Sequence, residues 1–156
     1  MRRRHYGLLT ELQLKVLKLR LRGFSLKEIA EMFRTTRQNI AIIEKRAWTN
    51  IELAKKTLEI FRILYSATYV EIKPGTHLVD VPRLVIDRAD SVGIKLRADF
   101  IRIYNEIRFK ARECVKGPRV IKPITILIQK NGDIEVIPQS IDELIPKNII
   151  DNIPNT

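Results

Sequence analysis

Five consecutive residues, Thr35-Thr36-Arg37-Gln38-Asn39, carry side chains suited to reading nucleic acid. An arginine can fork onto the acceptors of guanine, and a glutamine or asparagine amide can pair with adenine. Threonine hydroxyls reach phosphates, as would Lys45 and Arg46 about two turns further along a helix. Such a run works only if it opens a helix that a second helix holds against the groove. The neighbouring residues meet that demand. Ile29, Phe33, Ile40 and Ile43 are apolar anchors for a helix crossing, and Ala30 supplies the small side chain the crossing needs. The pattern from Leu26 to Lys45 is that of a helix-turn-helix. Its candidate DNA-contacting residues are Ser25, Arg34, Thr35, Thr36, Arg37, Gln38, Asn39, Ile42, Lys45 and Arg46. Arg34 stands where the turn of this motif often has glycine. Either it bears a positive φ, at a cost of about 1 kcal/mol or more, or the turn takes another geometry. Pointing outward, it adds a phosphate contact.

The charge agrees with this reading. The 156 residues include 29 Lys+Arg and 18 Asp+Glu, a net charge of +11, which points to a polyanionic partner or an acidic surface. Residues 1–66 hold 15 basic and 6 acidic side chains, residues 67–156 hold 14 and 12. The electrostatic footprint therefore sits on the first module. Arg2-Arg3-Arg4 could reach a minor groove as a basic arm, or form a solvated terminus. Trp48 is expected to pack against the first helix.

Other chemistries fare badly. The single Cys114 excludes a disulfide framework and a multi-cysteine zinc site, and its place on the apolar face of an expected helix makes it an inert core thiol. His5 and His77 have no carboxylate or cysteine at metal-ligand spacing, and no glycine-rich phosphate loop is present. Asp87 and Asp90, flanked by Arg83 and Arg88, read as a solvated face. No enzyme activity, metal or cofactor is expected. No apolar run approaches the roughly 18 residues of a membrane span, and no signal core follows the basic N-terminus. A cytoplasmic protein with no membrane partner is expected.

The elements that position these residues follow from local punctuation. Thr10 with Gln13 and Ser25 with Glu28 are capping-box pairs opening two helices. Leu14, Leu17 and Leu21 mark the apolar face of the first, and Gly23 suits its end. Thr35 or Thr36 opens a third. Along it Ile40, Ile43, Ala47, Ile51, Ala54, Leu58, Phe61 and Tyr65 step by three or four residues. Such a stripe either docks on the rest of the chain or pairs with a second copy. A homodimer is expected, through Ile51 to Tyr65 or through the sheet that follows.

Beyond Ser66 the character changes. Tyr69–Lys73 alternates like a strand, ended by Pro74-Gly75. Asp80 can cap a helix carrying Val81, Leu84, Val85, Ala89 and Val92, stopped by Gly93. Asp99 opens another, with Phe100, Ile103, Tyr104, Ile107, Ala111 and Cys114 on one side, ended by Gly117-Pro118. Val120–Gln129 and Ile134–Ile137 read as a hairpin. A two-residue loop would set Ile128 opposite Glu135. The three-residue loop Lys130-Asn131-Gly132 instead pairs Ile128 with Ile134 and Ile126 with Val136, giving one clean apolar face against Ile103 and Ile107. Ser140 with Glu143 could cap a single turn before a loosely ordered tail. The expected fold class is α+β: an all-helical helix-turn-helix domain with a long third helix (1–66), then a small α/β domain containing a β-hairpin (67–156), serving as sensor or dimerisation unit.

The run Thr36-Arg-Gln-Asn-Ile-Ala-Ile-Ile-Glu-Lys-Arg-Ala-Trp-Thr-Asn-Ile-Glu-Leu-Ala, with Leu9-Thr-Glu-Leu-Gln and Ser25-Leu-Lys-Glu-Ile-Ala before it, resembles the archaeal Tfx family of DNA-binding transcriptional regulators. Its first part is similar to the helix-turn-helix of LuxR-type regulators and of sigma-factor region four. The resemblance is specific over about Leu8 to Leu58. It implies sequence-specific binding of double-stranded DNA near promoters, with Arg37, Gln38 and Asn39 reading bases and Lys45 and Arg46 as anchors. Two rivals remain. An RNA-binding protein using the same basic patch would want an aromatic-rich sheet or a Gly-rich clamp. A small ligand-binding α/β protein with a helical appendage would want a polar pocket between Ala67 and Gln139. The sequence names no effector for the second domain.

Overall fold

Each of the first three helices begins on a hydroxyl. In α1 (Glu11–Leu21) the Thr10 hydroxyl accepts from the Gln13 N–H at 3.2 Å, and the Gln13 side chain accepts from the Thr10 N–H at 3.0 Å. Ser25 and Glu28 make the same reciprocal pair at the start of α2 (Leu26–Met32), at 3.1 and 2.7 Å. Thr36 accepts from the Asn39 N–H at 3.1 Å at the start of α3 (Arg37–Tyr65). Such caps contribute about 1 kcal/mol each. The hydrogen bonds from Ser25 hold the Glu28 carboxyl below the usual range. This cap is therefore complete above the ordinary carboxylate pKa and is lost as pH falls through the lowered one. Two short strands, β1 (His5–Tyr6) and β2 (Leu9–Thr10), form a hairpin ahead of α1. The computed structural model describes residues 4–151; Arg2, Arg3 and the end of the expected loose tail lie outside the described residues.

The helices α1 and α2 close in the same way. The Phe24 N–H reaches back to the Leu19 carbonyl and the Gly23 N–H to Arg20; the Thr35 N–H reaches Ala30 and the Arg34 N–H reaches Glu31. Both are Schellman closures, whose penultimate residue must take a left-handed backbone. Gly23 does so at φ 92°, while Arg34 is held at φ 52°. Of the two geometries open to the turn, Arg34 therefore takes the strained one.

Val16, Ile29, Ala30 and Ile40 form the buried core of this region, with Leu19, Phe24, Leu26, Phe33 and Ile43 packed around them. The buried face of α1 differs from expectation. Gln13, Val16 and Leu17 are buried, while Leu14 and Leu21 are exposed. The face is partly polar, which an apolar count cannot see: Gln13 serves the cap, and Arg20 donates to Glu44 of α3 at 2.9 Å and to the Phe24 carbonyl at 2.8 Å. Trp48, expected to pack, is 44% exposed.

The chain divides into two compact units, Met1–Glu59 and Ile60–Thr156. Composition changes at Ser66, but packing changes earlier, within α3. Ile60 and Ile63 lie on a cluster made by Leu127, Ile137, Ile141, Leu144 and Ile145, and Arg62 pairs with Glu135 at 2.6 Å.

The second unit completes an α+β fold. Its sheet has the order β3 (Thr68–Ile72), β6 (Ile124–Ile128), β7 (Ile134–Ile137), all antiparallel. The central strand β6 is buried throughout. Ile124, Ile126 and Ile128 face α4 (Val81–Ser91) and α5 (Phe100–Lys110), joining Val81, Val85, Ala89, Ile103 and Ile107. Leu127 enters the opposite cluster, and Thr125 donates to the Gln139 carbonyl at 2.8 Å. The hairpin has the expected register, Ile128 opposite Ile134 and Ile126 opposite Val136. Gly132 takes φ 88° in its loop.

Several boundaries differ from the sequence reading. The stretch Val120–Gln129 is not one strand. Pro123 has no N–H to give a ladder, so β5 (Arg119–Val120) pairs instead with β4 (Val115–Lys116), and β6 starts afresh at Ile124. The helix α5 stops at Lys110, and Cys114 lies on a following 3₁₀ turn, Arg112–Cys114. Its thiol is buried, donates to the Pro138 carbonyl at 3.5 Å, and is pushed up in pKa by that burial. Asp80 gives α4 no side-chain cap, because a 3₁₀ turn, Leu78–Asp80, runs straight into the helix. Leu84 on α4 and Val92, just past its end, are exposed. Ser140 precedes α6 (Ile141–Leu144) but donates to Glu71 at 2.8 Å rather than capping. The short α7 (Lys147–Asp151) was not expected.

Two substitutions test this account. A Cβ on Gly132 would overlap the Lys95 carbonyl oxygen and crowd the Arg97 N–H at 3.3 Å. With the added left-handed strain, Gly132→Ala should destabilise the protein by about 2–4 kcal/mol in urea unfolding. Arg34→Gly should do the opposite. Relief of its φ outweighs the extra unfolded-chain entropy of glycine, so stability should rise by about 0.5–1 kcal/mol in the same measurement.

Candidate nucleic-acid interface

The start of α3 is set by what lies on its inner side. Ile40 and Ala47 are fully buried and Ile43 partly so, which turns the opposite side of the helix outward. Gln38, Ile42, Lys45 and Thr49, at steps of four, three and four, form that outward stripe. All four are exposed. The side chains of Gln38, Ile42 and Lys45 make no polar contact with any described residue; the Thr49 hydroxyl donates to the Lys45 carbonyl at 3.0 Å.

The remaining candidates flank this stripe. Arg37 is exposed on the side of the helix that also carries Ala41 and Trp48. Asn39 and Arg46, seven residues apart, share the other side. Asn39 donates one amide hydrogen to the Thr35 hydroxyl at 2.9 Å, which leaves its Oδ1 and a second hydrogen outward. Thr36 is engaged as the α3 cap, and Ser25 as the α2 cap, although both are exposed. Arg34 is exposed at the turn between the two helices. The helix thus brings Gln38, Ile42 and Lys45 into line and separates Arg37 from Arg46.

Apolar periodicity does not reveal the polar residues that hold this surface in place. Arg20 and Glu44, 24 residues apart, join α1 to α3. Asn50 donates to the Leu8 carbonyl at 2.9 Å and ties the first hairpin to α3. Beside that tie, Arg4, Thr10, Glu11, Leu12, Gln13, Ile43 and Arg46 line a groove of about 460 Å³, so Arg4 and Arg46 face one depression. The glycine between His5-Tyr6 and Leu9-Thr10 was the one sequence signal for that hairpin.

The second unit offers less. A depression of about 280 Å³ is lined by Arg108, Arg112, Val115 and Gly117. Among the described residues no three metal-ligating side chains come together, and no helix is long and apolar enough to cross a membrane.

Comparison with known proteins gives this surface its context. Residues 54–136 match the family model described as the C-terminal part of the DNA-binding protein TFX. A proposed transcriptional regulatory protein of Methanocaldococcus jannaschii is 39% identical over 128 residues, covering 82% of this chain and 93% of that one. The DNA-binding protein Tfx of Methanothermobacter marburgensis is 34% identical with the same coverage. A proposed transcriptional regulatory protein of Pyrococcus furiosus is 43% identical over 88 residues, covering 56% and 62%. With a family model spanning more than half of its length and archaeal relatives matching along most of it, the chain belongs to the Tfx family of DNA-binding transcriptional regulators.

Proposed function

We propose that α3 is a recognition helix that enters the major groove of double-stranded DNA near a promoter, with α2 and the Arg34 turn setting its angle. One observation carries this reading: the outward stripe Gln38–Ile42–Lys45–Thr49 lies uncovered, on the half of the chain that holds most of the excess positive charge. Arg37 and Gln38, in the first turn, read base edges. Asn39 reads with the amide atoms that Thr35 leaves outward. Lys45 and Arg46 lie later on the helix, where it rises toward the backbone, and anchor on phosphates. Arg34 and Arg4 add phosphate contacts at the turn and beside Arg46.

We further propose that the protein acts as a homodimer through α3. Both faces of the sheet are covered within the second unit by apolar clusters, which favours the helix over a sheet face. Leu53, Leu58, Phe61, Leu64 and Tyr65 of α3 are each more than half exposed, and the rings of Phe61 and Tyr65 stack at 5.7 Å. Two recognition helices related by a two-fold axis would match a palindromic site.

Reading and anchoring separate in a salt titration on cognate and scrambled duplexes. Arg37→Ala should weaken cognate binding by about 1–3 kcal/mol and change scrambled binding less. Lys45→Ala should weaken both alike and reduce the salt slope by about one unit. Equal losses on both duplexes for Arg37→Ala, with base preference unchanged, would leave the basic head as an electrostatic anchor only. In sedimentation at tens of micromolar the protein should run at twice its 18.2 kDa, and Phe61→Glu should run as a monomer. A wild-type monomer with and without DNA rules out the dimer.

A further inference from the structure

We infer that Ile42 is a specificity-determining residue that reads the 5-methyl group of a thymine; this rests on the recognition-helix reading above. Ile42 is 49% exposed and belongs to none of the three apolar clusters. It sits one turn after Gln38 and one turn before Lys45, in the middle of the outward stripe. An exposed β-branched residue there gains nothing from helix propensity, which ranks it below lysine, glutamine or glutamate, and nothing from the core.

Its surroundings narrow what could cover it. Gln38 and Lys45 on the stripe, with Arg37, Asn39 and Arg46 to either side, make the neighbourhood polar and basic. A protein partner docking by its apolar surface would have to desolvate these groups as well. The major groove offers them acceptors and phosphates. It also presents one apolar group on a base edge, the thymine methyl. An isoleucine one turn after the base-reading Gln38 and one turn before the phosphate-anchoring Lys45 fits a thymine beside the bases read by polar contacts. Covering one methyl group is worth about 0.8 kcal/mol, roughly fourfold in affinity.

The test uses the full chain and duplexes it selects from a random-sequence pool. Each thymine of the selected site is replaced in turn by deoxyuridine, which removes the methyl group and keeps the base-pairing edge. At one position the wild type should lose about fourfold in affinity. Ile42→Ala should bind the thymine and deoxyuridine duplexes equally, Ile42→Val should keep part of the difference, and Arg37→Ala should keep all of it. Circular dichroism checks that each variant is folded, as expected for an exposed site. Wild-type indifference to every replacement, or a penalty that survives in Ile42→Ala, overturns the assignment of Ile42 while leaving the recognition helix standing. If the pool yields no preferred sequence, the recognition-helix reading fails first and Ile42 with it.

Discussion

The direction of α3 depends on the four residues between α2 and α3. The N–H groups of Arg34 and Thr35 must return to the carbonyls of Glu31 and Ala30, and they can do so only with Arg34 in a left-handed backbone. Ala30 is small enough to let Ile40 bury completely beside Ile29 and Val16. Once Ile40 and Ala47 are inward, geometry leaves Gln38, Ile42 and Lys45 outward. The same closure after α1 uses Gly23 and carries no such strain. Keeping an arginine in this conformation sets a positive charge at the mouth of the turn. The strain thus sits on an exposed residue of the proposed DNA-binding surface and not in the core.

The second unit rests on a different constraint. Its central strand is buried on both faces, so a slip of one residue would exchange Leu127 and Glu135 for the isoleucines on the larger core. Gly132 prevents that slip from the loop end, where its carbonyl accepts from the Arg97 N–H at 2.9 Å. From the other side Ile60, Ile63 and Arg62 of α3 close the smaller cluster. One helix therefore contributes its first turns to the core of one unit and its last turns to the core of the other.

This division explains why a single apolar stripe does not describe α3. Ile40 and Ala47 are buried, but Leu58, Phe61 and Tyr65 of the same stripe are exposed, and Ile60 and Ile63 are covered instead. A helix that serves two cores changes its buried side along its length. In a family of DNA-binding regulators, the side left open at the N-terminal end is where DNA is proposed to bind, and the side left open at the C-terminal end is where a second copy is proposed to pair.

Features that depend on neighbours in the chain are legible in the amino-acid order alone. Capping pairs three residues apart, the end of α1 at Gly23, the length of α3 and the Ile128–Ile134 register are all local, because each follows from backbone groups or face alternation within a few residues. The candidate interface was legible as a set of residue types for the same reason. The arrangement of that set was not. Which face of α1 is buried turned on Gln13 and on the pairing of Arg20 with Glu44, contacts between polar groups that no apolar period records. The strand expected across Pro123, the helix expected to reach Cys114, and the change of core within α3 also went to the tertiary structure. A periodic pattern states that a face is apolar, but only packing decides whether, and by which part of the chain, it is covered.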